Sequence, residues 1–283
     1  MFRTVGEELW VFDIEWVPDP VTGRRAHGLA DDVPDADVIA RMFEAAGATP
    51  EHPRPFIKTA LCRVVSISAI KRRATGSHPV RLELRSMPEA GESALDEAVL
   101  IANFLESAGK VKPQLVGFNI TGADIPILVQ RAMAHGIAAP AFCQRPEKPW
   151  QGVDYFGGRG SDAIVELMDV YGTWGRGTPS LHELASAAGI PGKLDALGEQ
   201  VLDFWQAGDM RRIVEYNEFD VITTYLIWLR TAHLAGFVSG AAYEAEERQL
   251  EALLRDRVAA GAKHLERYLE RWSPARAAAT RAT

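Results

Sequence analysis

The stretch Leu9–Glu15, LWVFDIE, restricts this chain more than any other. It is short, almost wholly apolar and ends in two acids, which reads as a buried strand. Residues i and i+2 of a strand face the same way, so Asp13 and Glu15 project side by side. Two carboxylates that close are unfavourable unless a cation bridges them. The plain alternative is a strand that simply ends in solvated acids.

The rest of the chain surrounds this strand with alternating elements. A polar connection rich in Pro, Gly and Asp runs from Pro18 to Pro55, with a short helix expected over 36–46. Leu61–Ile70 reads as a central strand. Val80–Met87 alternates apolar and charged residues at period two, as a half-exposed strand does, and KRRATGSHP between the two suits a hairpin. A helix follows over 93–108, with Ser93 and Asp96 at cap spacing. Then come a strand over 114–119, a helix over 124–135 closed by Gly136, a loop to Gly160 and a strand over 163–169. Ser180–Glu183 forms a capping box, and helices cover 181–189, 200–206 and 210–231. Finally Tyr243–Trp272 carries one amphipathic pattern, about 45 Å long if unbroken, with Gly261 as a candidate break. Three strands, then helix and strand in alternation, then helices, imply an α/β sheet with an antiparallel beginning and a parallel remainder. The C-terminal pattern fits packing onto the core or a dimer seam.

Two further places gather chemistry. In VGFNITGADIPIL, a strand runs into Asn119, Gly122 allows a tight turn, and Asp124 opens a helix. An ordinary N-cap explains the acid but not Asn119 at the strand tip. In YNEFD, Tyr216 and Asp220 lie four apart and so share one helix face. That face also carries Ile213, Val221, Thr224 and Trp228, so it is expected to be buried, and an acid there needs a partner.

The order Asp-x-Glu, then Asn with Asp five residues on, then Tyr with Asp four on, resembles the three exonuclease motifs of the DEDD superfamily. Tyr216 is similar to the mark of its tyrosine subclass (DEDDy); the histidine subclass has His where Glu215 stands. GFNITGADIP resembles the second motif of the proofreading domain of family B DNA polymerases. SLHELASAAGIPGK and YNEFDVITTYLIWLR are similar to stand-alone exonucleases related to that domain. The resemblance covers 11–230. It implies a ribonuclease H-like mixed sheet flanked by helices, forming an exonuclease domain over 1–235 with a C-terminal helical extension over 236–283. It implies metal ligands at Asp13, Glu15, Asp124 and Asp220, with Tyr216 as a further catalytic residue, and substrate contacts at Trp16 and Asn119. The chain departs from the usual pattern at Trp16, where Thr is common, at Ala123, where an aromatic is usual, and at Asn217, where Cys is frequent. None of these removes a ligand.

Oxygen ligands without a Cys or His cluster select Mg²⁺ or Mn²⁺ over zinc, and the seven histidines show no HxH or HExxH spacing. The implied reaction is 3′–5′ hydrolysis of single-stranded DNA or RNA by two divalent ions, as in proofreading or repair. An endonuclease of the same fold and a retired nucleic-acid-binding module are the alternatives. A Rossmann oxidoreductase is disfavoured for want of its glycine fingerprint. The net charge of −7 argues against coating nucleic acid by bulk charge, yet four of those acids would be offset by bound cations. Trp150, Tyr155, Phe156 and Trp174 interleave with Lys148, Arg159 and Arg176, which suits either base stacking or loop anchoring. Two cysteines make no disulfide framework. No basic flank with an apolar core opens the sequence, and no run reaches the ~20 apolar residues of a membrane span. A cytoplasmic protein is expected.

Overall fold

The computed structural model describes residues 2–76, 79–158, 161–172, 177–192 and 200–273. The chain runs β1 (Glu8–Pro18), α1 (Pro20–His27), α2 (Asp35–Ala45), β2 (Cys62–Arg73), β3 (Arg81–Met87), α3 (Glu97–Val111) and β4 (Gln114–Gly117). It continues through α4 (Ile125–Ala134), α5 (Pro140–Cys143), β5 (Ile164–Glu166), α6 (Leu167–Tyr171), α7 (Leu181–Ala187) and α8 (Val201–Gln206). It closes with α9 (Met210–Leu234), α10 (Gly240–Ala259) and α11 (His264–Arg271). The five strands form one sheet in the order β3-β2-β1-β4-β5. β1, β2 and β3 pair antiparallel; β4 lies parallel to β1, and β5 parallel to β4.

Strand alternation builds two cores from one sheet. Leu9, Val11, Ile70, Leu84 and Val116 face α9, α10 and α11. Trp10, Phe12, Ile14, Ile67 and Leu115 face α2, α3 and α4. With β1 central and covered on both sides, its apolar run has no solvent face to serve.

Several expectations need correction. β1 does not end at its acids. It runs on to Pro18, and a bulge sets Glu15 opposite Ser66 but Trp16 opposite Val64, so Val65 joins Val17 and Tyr216 in a small cluster. The acids therefore sit within the strand, where the bulge bends the pairing. The polar connection holds two helices, not one. Asp19 caps α1 through bonds from the Val21 and Thr22 amides, and Gly23 replaces an apolar stripe. A Cβ there would lie 2.5 Å from Met42 Sδ and 2.9 Å from Val38, so α1 meets α2 through a bare backbone. Asp96 alone caps α3, its Oδ1 accepting from Ala98 N at 2.8 Å. The strand expected over 163–169 stops at Glu166, whose side chain accepts from Met168 N and starts α6. The capping box at Ser180 and Glu183 is present as read.

The C-terminal pattern breaks at Gly261, which takes φ 112°, and α10 and α11 fold back on α9. Leu250, Leu254, Leu265, Tyr268 and Trp272 enter the same core as β1. Polar side chains lock this packing. Arg72 of β2 donates to Glu246 of α10 at 2.7 Å, with both side chains buried, and Tyr225 of α9 donates to the same carboxylate. Glu218 of α9, wholly buried, accepts from Ser86 Oγ at 2.6 Å and meets His264 Nε2 of α11 at 2.6 Å. No helix among the described residues is long and apolar enough to cross a membrane.

Candidate metal centre

The sheet opens where β1 and β4 part. Their pairing covers only Leu9–Val11 against Gln114–Val116. At Gly117 a Cβ would lie 2.2 Å from Ile120 Cγ2 and 3.0 Å from Phe12 O, so only glycine lets the chain turn there. Asn119 then takes a left-handed conformation, φ 68° and ψ 21°, which Asn tolerates better than most residues. A single π-helical turn, Ile120–Asp124, leads into α4; such turns are frequent at functional sites. Glu166 at the tip of β5 clamps this turn, accepting from Asn119 N at 2.6 Å, Thr121 N at 2.9 Å and Thr121 Oγ1 at 3.0 Å.

Three acids meet in the opening. Ligand oxygens of Asp13, Glu15 and Asp220 all lie within 4.8 Å of one another. Glu15 is buried, and the other two are half-buried. Asp124 stands beside them, with its Oδ1 accepting from Ile14 N at 3.0 Å. That amide lies between the two acids of β1, so the fourth acid is tethered to the strand that carries the first two.

The electrostatics match a site built for cations. Burial raises the Asp13 carboxyl well above its ordinary range; Asp124, Glu15 and Asp220 raise it further, and a bond from Asn217 opposes them. Burial pushes Asp124 up to about 7, against the Ile14 amide and with Glu166 adding to the rise. Among the described residues, the three-way cluster holds only carboxylate oxygens, the hard donor set that suits Mg²⁺ or Mn²⁺. Burial also drives the Tyr216 phenol far up, helped by Asp220, Glu15 and Asp13. Protonated, it donates a hydrogen bond to Asp220.

These shifts fix how stability depends on pH. Without metal, the folded chain holds protons at Asp13 and Asp124 that the unfolded chain releases. Their contribution is fully present below the ordinary carboxylate value, about 4, and is lost as pH rises through the folded value, about 7 for Asp124. In EDTA, the thermal midpoint of the parent chain minus that of Asp124→Asn is expected to fall steadily across this window. A difference that is flat from about pH 4 to about pH 7 would contradict the assignment.

The other sequence candidates land differently. Trp16 lies on the opposite sheet face from Glu15, half-buried with Ile14, and meets the exposed Phe56 edge-to-face at 5.3 Å. The Asn119 carboxamide closes over Gly122, where a Cβ would lie 2.3 Å from Oδ1, and so holds the turn. Tyr155 is buried, stacked on Phe142 and bonded to Pro113 O; it anchors its loop and offers no face to a base. Trp150 is exposed beside Lys148. Trp174, Arg159, Arg176 and Lys193 lie outside the described residues. A cavity of about 1010 Å³ opens on the β5 side, lined by Thr121, Ile125, Phe156 and Glu166 among others, but Asp13, Glu15, Asp124 and Asp220 do not line it. Sequence reasoning missed Glu166 and Asn217. Glu166 signals itself only as an acid between Val165 and Leu167, and Asn217 only as the departure from Cys beside Tyr216; a buried polar group has to be bonded.

A sheet in this order, with helices on both faces and acids at the parting of β1 and β4, defines a ribonuclease H-like hydrolase. The chain belongs to the family of predicted 3′–5′ exonucleases related to the exonuclease domain of PolB, which it matches over residues 54–272. It is accordingly an exonuclease. The match takes in Asn119, Asp124, Tyr216 and Asp220 and begins after β1, and the fold brings Asp13 and Glu15 of β1 to Asp220. No curated protein matches the chain.

Proposed function

We propose that this exonuclease removes nucleoside 5′-monophosphates from the 3′ end of single-stranded nucleic acid, DNA in preference to RNA, at the Asp13, Glu15, Asp124 and Asp220 cluster. The observation that carries this reading is the convergence of three carboxylates within 4.8 Å beside a protonated tyrosine. Two divalent ions, Mg²⁺ or Mn²⁺, would supply a water nucleophile at neutral pH and charge stabilisation for the leaving 3′ oxygen. Asp13, Glu15 and Asp220 would hold them, with Asp124 completing the set through the oxygen not bonded to Ile14. Tyr216, held by Asp220, would orient the attacking water by hydrogen bond. Trp16 and Asn119 are candidate substrate contacts, through the aromatic surface shared with Phe56 and through the turn at the strand tip. The preference for DNA rests on the relation to a DNA polymerase domain, which also favours a proofreading or repair role. In this reading residues 1–235 form the nuclease unit and 236–283 an extension, of which Leu250, Leu254, Leu265, Tyr268 and Trp272 join the core.

The test is a ladder assay on 5′-labelled single strands of DNA and RNA, with a circular single strand alongside. Stepwise shortening of the linear strands in Mn²⁺, abolished by EDTA, with the circle intact, is expected. Cutting of the circle would establish an endonuclease, and absence of any metal-dependent cleavage a retired site.

A further inference from the structure

Asn217 follows Tyr216 on α9, one residue round the helix, and is wholly buried. Its Nδ2 donates to Asp13 Oδ2 at 2.6 Å, and its Oδ1 accepts from Ser66 Oγ at 3.3 Å. Ser66 is itself wholly buried and lies opposite Glu15 in the β1–β2 register. The two contacts settle which way the amide points. With Asp13 ionised, as a metal ligand must be, the reversed amide would set its carbonyl oxygen against an acceptor-only carboxylate, and the amino group would lose its strongest acceptor. The amide is thus held at one end by the sheet and holds Asp13 at the other.

We propose that Asn217 is a positioning residue for the metal centre: it fixes the Asp13 carboxylate on the ion-binding side of β1 before any cation arrives. This rests on the metal reading of the acid cluster. Once ionised, Asp13 has a carboxylate oxygen within 4.8 Å of those of Glu15 and Asp220, and like charges favour any rotamer that separates them. A neutral donor is the side chain that can resist this without altering the charge of the site. Lysine or arginine would cancel the negative charge a dication needs, and an acid in its place would add to the repulsion. Engaging one oxygen also leaves the other for the ion, as partners behind a metal ligand commonly do. Glu166 acts on a different ligand: it holds the turn that carries Asp124 and does not touch Asp13.

The test measures Mn²⁺ binding to the full chain, by the electron paramagnetic resonance of free Mn²⁺, for the parent and for Asn217→Leu, which keeps the volume and removes the donor. The half-saturation concentration is expected to rise about 10–100-fold. In the nuclease assay the defect should narrow as Mn²⁺ is raised, whereas a merely structural loss would depress turnover at every concentration and lower the thermal midpoint in EDTA. Should Asn217→Leu fail to fold, Ser66→Ala frees the far end of the amide and should raise half-saturation in the same direction by a smaller factor. A parent chain that binds no Mn²⁺ overturns the metal reading and this inference together. A parent that binds, with half-saturation unchanged in the variant that folds, overturns this inference alone.

Discussion

Asp220→Asn is expected to lower exonuclease turnover by about a thousandfold or more while leaving the chain folded and, in EDTA, more stable than the parent. Asp220 meets three of the groups that the proposed chemistry uses, Asp13, Glu15 and Tyr216. It shares the 4.8 Å cluster with Asp13 and Glu15 and accepts the Tyr216 phenol. Metal ions contribute several kcal/mol of charge stabilisation to hydrolysis, and about 4 kcal/mol is a thousandfold at 1.36 kcal/mol per decade. The stability effect runs the other way because the acids repel when no cation separates them. Asp220 is one of the groups that push the Asp13 carboxyl up, and an amide in its place removes that repulsion. Asp13→Asn should behave alike. Opposite signs for activity and metal-free stability mark a site that sacrifices stability for function. Measured together, single-turnover rate and thermal midpoint in EDTA separate this from a packing defect, which lowers both. Full activity in either variant would remove the cluster from the mechanism. Mn²⁺ should close the gap, stabilising the parent more than either variant.

What the sequence disclosed was what a period or a spacing can carry. The apolar run at Leu9, the period-two pattern after Val80 and the four-residue spacing of Tyr216 and Asp220 each correspond to one local geometry, and the structure has each of them. Asp13 with Glu15 followed from strand alternation alone. The features that escaped are those that tertiary contact creates. Helix α1 has no apolar stripe because its packing contact is Gly23 against Met42. β5 stops early because Glu166 turns its side chain to the next helix. The bulge opposite Val65 belongs to a strand pair and to neither strand alone. Asn217 stood out only as an unusual residue beside Tyr216. Its meaning depended on Ser66 and Asp13, which lie 151 and 204 residues away in sequence.

Arg131→Met is expected to destabilise the chain by about 3–5 kcal/mol, although Arg131 is remote from the acid cluster. Arg131 projects from α4 into a space with almost no access to water. Its Nε donates to Glu97 at 2.8 Å, and its Nη1 donates to Asp19 at 2.9 Å and to Thr22 Oγ1 at 3.0 Å. Glu97 begins α3 and also takes the Val64 amide of β2 at 2.8 Å. Asp19 caps α1 where β1 ends. One guanidinium therefore joins four elements, and its removal takes the arginine from two buried carboxylates, leaving Glu97 with His135 at 2.7 Å and the Val64 amide. Methionine fills much of the space, so the loss reflects charge and not a cavity. If so, Arg131→Met combined with Asp19→Asn and Glu97→Gln should recover a large part of the stability, because the uncompensated charge goes with them. The pH response follows from Asp19. Burial would raise its carboxyl, but bonds from Thr22 and the Arg131 charge outweigh this and hold it below the ordinary value, so its contribution is present above about pH 4 and is lost as pH falls through the lower folded value. Urea midpoints for the single and triple variants at pH 7 and at pH 4 decide the matter. A single variant within about 1 kcal/mol of the parent at pH 7 would mean that water reaches these carboxylates, and that the α1–α3–α4 junction is held by its apolar contacts alone.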